Sequence, residues 1–158
     1  MTSGRTRGAD AGSGARWAHV ACCIARDDRA HAILRAARQV ADDVGARLTV
    51  VHGAPRPVLE EPAGRGGVAR PEDPTWVASQ WLARLAEAYG AEAALIVGTA
   101  PTAVCAWAAS AGPDVLVVGA TRGPVARALA GSFASHLAYH ASCDVLVVRA
   151  PAAEEDQR

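Results

Sequence analysis

Apolar and polar positions along this chain fall into alternating blocks. Val115 to Val118 and Val145 to Val148 are both VLVV runs, each preceded by an aspartate, Asp114 or Asp144. A strand covered by helices on both faces is apolar without alternation, so the two runs predict neighbouring buried parallel strands. Trp17 to Ala25 reads as a first strand, buried and central if the sheet is doubly wound, Arg47 to His52 as a second and Glu92 to Val97 as a third. Between the first two the period becomes helical. Ile33, Ala36, Ala37, Val40, Ala41 and Val44 form one apolar stripe on a helix from Arg29 to Val44, with Asp27 or Asp28 as its cap and Gly45 as its stop.

Three further helices follow by the same reasoning. Trp76 to Tyr89 turns Trp81, Leu82, Leu85 and Ala88 to the sheet and stops at Gly90. Pro101 opens a helix that runs to Ser110 and ends at Gly112-Pro113, and Phe133 to Ala141 returns the chain to the last strand. The trace alternates strand and helix five times. Right-handed crossovers make that a three-layer α/β/α protein with an open parallel five-stranded sheet.

The organisation around this core is uneven. Residues 1–16, rich in Gly, Ser and Arg, read as a disordered arm, residues 17–150 as one domain, and residues 151–158 as a flexible tail. Residues 53–74 hold five of the nine prolines and four glycines, so they read as a surface excursion. A chain of 158 residues that is 51% apolar but only 4% aromatic must build its core from Val, Leu, Ile and Ala. Sixteen basic and sixteen acidic residues cancel, which argues against nucleic acid or an anionic membrane as partner. Cys22, Cys23, Cys105 and Cys143 lack CxxC spacing and read as free thiols in a reducing cytoplasm. Neither a signal peptide nor a run of about eighteen apolar residues is expected to route the chain to a membrane.

The candidate chemistry lies where the fourth strand ends. Gly119 stands at its exit, and Gly131-Ser132 opens the next helix. Glycines that let backbone N–H groups converge beside a helix N-terminus form a nest for phosphate, to which Ser132 adds a hydroxyl. The plainer reading is that Gly119 relieves crowding and Ser132 only caps its helix. Arg122 and Arg127 are candidates to reach a polyphosphate, and Thr121 to stand beside it. His136 and His140 have the spacing of a metal pair but no third ligand. His140 also suits a helix C-terminus. Asp114 and Asp144 precede their strands and so belong to the far end of the sheet.

Taken with their order, VVG at 117–119, GS at 131–132, HASCDVLVVR from His140 to Arg149 and ILRAARQVADDVGARLTVVH from Ile33 to His52 resemble a universal stress protein domain. The likeness covers nearly all of 17–149. It implies a Rossmann-like fold with strand order 3-2-1-4-5, a crevice between strands one and four, and a homodimer paired through the fifth strand, near which Cys143 would lie. It further implies ATP or a related nucleotide, with magnesium, bound by Ala25, Val51, Val118, Gly119, Thr121, Arg122, Gly123, Gly131, Ser132 and Phe133, with His52 near the adenine.

Three departures bear on that ligand. The family's second loop glycine would fall at Arg122 rather than Gly123, and the interval from Gly119 to Gly131 is one residue short. The aspartate that ATP-binding members carry after the first strand is replaced by Ala25, with Asp27 two residues late. A second hydroxyl after the GS pair is replaced by Ala134. Two functions are therefore weighed: a stress-response or regulatory protein that binds ATP or a similar nucleotide, and a dimeric interaction protein with a degenerate phosphate loop and an unidentified protein partner. Turnover is not expected, because the loop offers neither a Walker-type lysine nor a metal-holding acid; weak hydrolysis is a minor third reading.

Overall fold

A computed structural model describes residues 16–55, 73–120 and 132–150. Their order is β1 (His19–Cys23), α1 (Ala30–Val44), β2 (Arg47–Ala54), α2 (Pro74–Ala88), β3 (Glu92–Val97), α3 (Pro101–Ala111), β4 (Val115–Gly119), α4 (Phe133–His140) and β5 (Asp144–Val148). All strand pairs are parallel and the sheet order is β3-β2-β1-β4-β5. The expected order 3-2-1-4-5 is thus the observed one.

Alternate residues of the central strands enter two separate cores. Val20, Cys22, Leu48, Val50, Val115 and Val117 pack with Ile33, Leu34 and Ala37 of α1 and Leu82 and Leu85 of α2. Ala21, Cys23, Val51, Leu116 and Val118 pack on the other face with Val104 and Ala108 of α3 and Ala134 and Leu137 of α4. Each Val or Leu so buried contributes roughly 1.5–3 kcal/mol. Continuous apolarity in β1 and β4 follows from this two-sided cover.

Local chemistry sets the helix ends. Gly45 and Gly112 end α1 and α3 in the left-handed region, at φ 68° and 66°. Asp73 accepts a hydrogen bond from the Thr75 N–H at 2.8 Å ahead of Pro74, a cap that contributes about 1 kcal/mol.

Several expectations are corrected. β1 is shorter than Trp17 to Ala25, and β2 runs two residues past His52, taking Gly53 and Ala54 out of the supposed excursion. Neither Asp27 nor Asp28 is the N-cap of α1; Arg29 is, with no side-chain cap bond. Ala30 and Leu34 are buried on α1, whereas Ala36 is only half-buried. On α2, Ala86 is buried and Ala88 exposed, because the inward stripe runs through Ala78, Leu82, Leu85 and Ala86. β5 is not buried like β4: it is an edge strand, and Val147 is 45% exposed.

The N-terminal end of the sheet is closed by a polar network. Arg47 can only donate, so its Nη2 bond of 3.0 Å to His19 Nδ1 puts the neutral imidazole's proton on Nε2. That nitrogen lies 2.8 Å from Thr49 Oγ1, which in turn donates to Glu92 Oε2 at 3.4 Å. Asp114 accepts from the Ala18 and His19 N–H groups at 2.8 Å each, and these bonds hold its carboxyl below the usual range. Asp144 binds Arg16 and Trp17 at 2.9 and 3.0 Å. Both aspartates therefore sit at the end of the sheet opposite the strand exits. The Asp144 N–H, which a proline would lack, donates to the Asp114 carbonyl at 3.2 Å.

Burial, and then the Arg47 guanidinium, hold His19 below its ordinary 6.5, against weaker opposing effects of Glu92, Asp114 and the Gly112 backbone. The unfolded chain then binds a proton that the folded chain refuses, so stability is full above 6.5 and falls as pH drops towards the folded value. The midpoint of heat unfolding is expected to decrease from about pH 7.5 to about pH 5, and His19→Gln to flatten that slope. An unchanged slope in the variant would show that His19 is not the group responsible.

Candidate functional site

β1 and β4 run side by side as far as Cys23 and Val118. Beyond that register the chain leaves β1 for α1 on one face, while the segment after β4 leads to α4 on the other. Open α/β sheets form their crevice at such a switch point. A cavity of about 420 Å³ opens there.

The structure brings half of the sequence-predicted site together. Ala25, Val51, Val118, Gly119 and Phe133 all line the cavity. Ser132 does not: it is the N-cap of α4, with Oγ accepting from the Ser135 N–H at 3.1 Å and 2.8 Å from Ser135 Oγ. It thus caps its helix, as the plainer reading expects. Thr121, Arg122, Gly123, Arg127 and Gly131 lie outside the described residues. His136 and His140 stack on α4 at a ring separation of 4.4 Å, and among the described residues no group of three or more His, Cys, Asp or Glu is placed to hold a metal ion.

Other residues of the site went unrecognised in the sequence. Arg29, at the start of α1, lines the cavity and reaches across the switch point to donate from Nη1 to the Ala120 carbonyl at 2.8 Å. Its Nε and Nη2 are held by Asp27 Oδ2 at 3.3 and 3.0 Å, and the Arg29 N–H donates to Asp27 Oδ1 at 2.9 Å. Asp27, weighed as a late substitute for the missing acid, is thus committed to this arginine. The signal was the cluster RDDR at the exit of a central strand, which charge patterning alone reads as solvated. Arg29 is the sole charged side chain among the described residues of the lining.

The opposite wall is built by backbone. Gly53, on β2, lies so close to the Gly98 carbonyl that a Cβ there would overlap it. The Gly98 N–H donates back to the Ala54 carbonyl at 2.7 Å, and Gly98 itself has φ 114°. Next to them His52 Nδ1 donates to the Ile24 carbonyl at 2.9 Å, which fixes its tautomer. Its ring meets Trp81 edge-on at 5.0 Å. At the base, burial pushes the Cys23 thiol up to about 12, with Cys143 and Cys105 adding to the rise, so it is an apolar wall and not a nucleophile. All four cysteines are free.

Fold and crevice together define an open, doubly wound α/β protein with a small-molecule-sized cavity at its switch point. The universal stress protein family model matches residues 17–149, and the chain belongs to that family. Among solved structures it is similar to a universal stress protein in complex with cAMP, at 21% identity and TM-score 0.66, covering 86% of this chain and 99% of that one. It is likewise similar to the universal stress protein UspA from Lactobacillus plantarum, at 21% identity and TM-score 0.63 over 85% of this chain and 99% of that one. A universal stress protein from Archaeoglobus fulgidus in complex with dAMP is 22% identical, with TM-score 0.55 over 84% and 98% of the two chains. Comparison with curated protein sequences gave no match.

The two glycine contacts differ in what would yield. At Gly119 an added Cβ would come 2.5 Å from Ile33 Cδ1, the free end of a side chain, whereas at Gly53 it would meet backbone. Gly53→Ala is therefore expected to cost about 1–3 kcal/mol in denaturant unfolding, and Gly119→Ala clearly less. Equal losses would mean that the β2–β3 wall is softer than its geometry states.

Proposed function

We propose that this protein is a stress-response regulator that holds an adenine nucleotide, ATP or a close relative, in the β1/β4 crevice without turning it over. The observation that carries this reading is the cavity of about 420 Å³ at the switch point, apolar at Cys23, Val51, Val104 and Val118 with polar side chains from Arg29, His52 and Thr99. An adenine ring needs such a slot, with a few fixed polar groups at the edge. His52, with its tautomer set by the Ile24 carbonyl, and Thr99 supply them. The complexes of similar proteins with cAMP and dAMP support the same ligand class.

The described lining carries no carboxylate, so magnesium would arrive on the triphosphate and be held there. Occupancy rather than hydrolysis is then the signal. The part-exposed edge strand β5, with Val147 outward, supports pairing with a second copy of the chain. Among the described residues no helix is long and apolar enough to cross a membrane, and the reading places the protein in the cytoplasm.

A second reading, a dimeric interaction protein with a degenerate nucleotide site, is favoured by Ala25 at the place of the acid and by Ser132 tied to Ser135. Native purification followed by extraction and mass measurement of retained ligand separates the two. Retained nucleotide is expected, together with a raised melting temperature in millimolar ATP with magnesium; occupancy at about 100 Kd stabilises by about 2.7 kcal/mol. No ligand and no shift would remove the nucleotide reading and leave the interaction reading, for which concentration-dependent dimerisation is the next measurement.

A further inference from the structure

We infer that Arg29 is the anion-binding residue of the crevice and makes it selective for phosphorylated over unphosphorylated nucleosides; this rests on the nucleotide reading above. Three features point to it. The guanidinium is the sole charged group among the described residues of the lining, with its counter-ion Asp27 outside that lining, so the charge it presents to the cavity fits an anion. It is held in place: Asp27 takes Nε and Nη2 and the Ala120 carbonyl takes Nη1, which uses three of the five N–H groups. A fork fixed in this way loses little freedom when a phosphate oxygen joins it.

The third feature is the lack of a Cβ at Gly119, whose ideal position would lie 3.9 Å from Arg29 Nη1. The guanidinium therefore stands directly over the exit of β4. Ser132 Oγ, the hydroxyl expected to do this work, caps its own helix and lies outside the described lining. Asp27 plays two opposed parts. It steadies the arginine, yet it is also the counter-ion with which a ligand phosphate competes, at a side-chain exposure of 32% for Asp27 and 22% for Arg29.

Opposed roles give opposed variants. In calorimetric titrations of the full chain, 5′-AMP is expected to bind about tenfold or more tightly than adenosine. Arg29→Met should abolish that preference, so that the variant binds AMP no more tightly than it binds adenosine. Asp27→Asn should raise AMP affinity by about threefold or more, because the phosphate no longer competes with a carboxylate. A pair that merely braces the fold would weaken AMP binding in both variants. Survival of the preference in Arg29→Met, or weaker AMP binding in Asp27→Asn, overturns the inference; if the Met variant does not fold, Asp27→Asn decides alone. Equal binding of AMP and adenosine by the wild type sinks the role of Arg29 while the nucleotide reading stands. If neither binds and ATP with magnesium gives no thermal shift either, the nucleotide reading fails, and pyrophosphate decides Arg29: thermal protection of the wild type that Arg29→Met loses sustains anion binding, and no protection refutes it.

Discussion

Everything in this molecule depends on satisfying β1. All five of its residues are buried, so its backbone polar groups have no water to bond and must pair with β2 on one side and β4 on the other. Both faces must also be covered, and beyond His19 and Val20 the strand offers only small contours, Ala21, Cys22 and Cys23, above and below. Small residues on α1, Ala30, Ala37 and Ala41, let that helix come close. A core with few rings works here because the layers are held by short side chains at close range rather than by large wedges.

The same constraint produces the cavity. Parallel neighbours on both sides of β1 send their following chains to opposite faces, and the space between the departing segments cannot be filled by the strands themselves. What surrounds that space is mostly backbone and short side chains: the Gly53–Gly98 approach on one wall, the exit of β4 at Gly119 on the other. Among the described residues of the lining, Arg29 alone brings charge. Its position depends on a contact across 91 residues, to the Ala120 carbonyl.

How legible this was in the sequence varied with the kind of information required. β3 was bounded by pattern alone, and the family likeness supplied the strand order. The two VLVV runs misled in one respect. They are the same four residues in β4 and β5, yet one is enclosed and the other forms an edge, because burial there is decided by what lies alongside and not by the strand's own side chains. The stripe on α2 slipped by two positions at its end, from Ala88 to Ala86, since alanines at 83, 86 and 88 leave the phase of the helix loosely marked. In the site, Gly119 could be placed from the end of its strand, and Ala25 and Val51 from the family likeness. Arg29 could not, because a long side chain reaches its partner through space, and no spacing along the chain encodes that reach.

The polar network at His19 and the crevice above Cys23 occupy the two ends of one strand. Four residue steps of about 3.3 Å separate them by about 13 Å, beyond the range at which independent sites perturb one another's energies appreciably. On the nucleotide reading proposed above, the protein has two inputs placed apart: acidity acts through His19 on how firmly the domain is held together, and a ligand acts through the crevice. A cell that acidifies would, through His19, lower the population of folded protein from the end of β1 that the crevice does not touch.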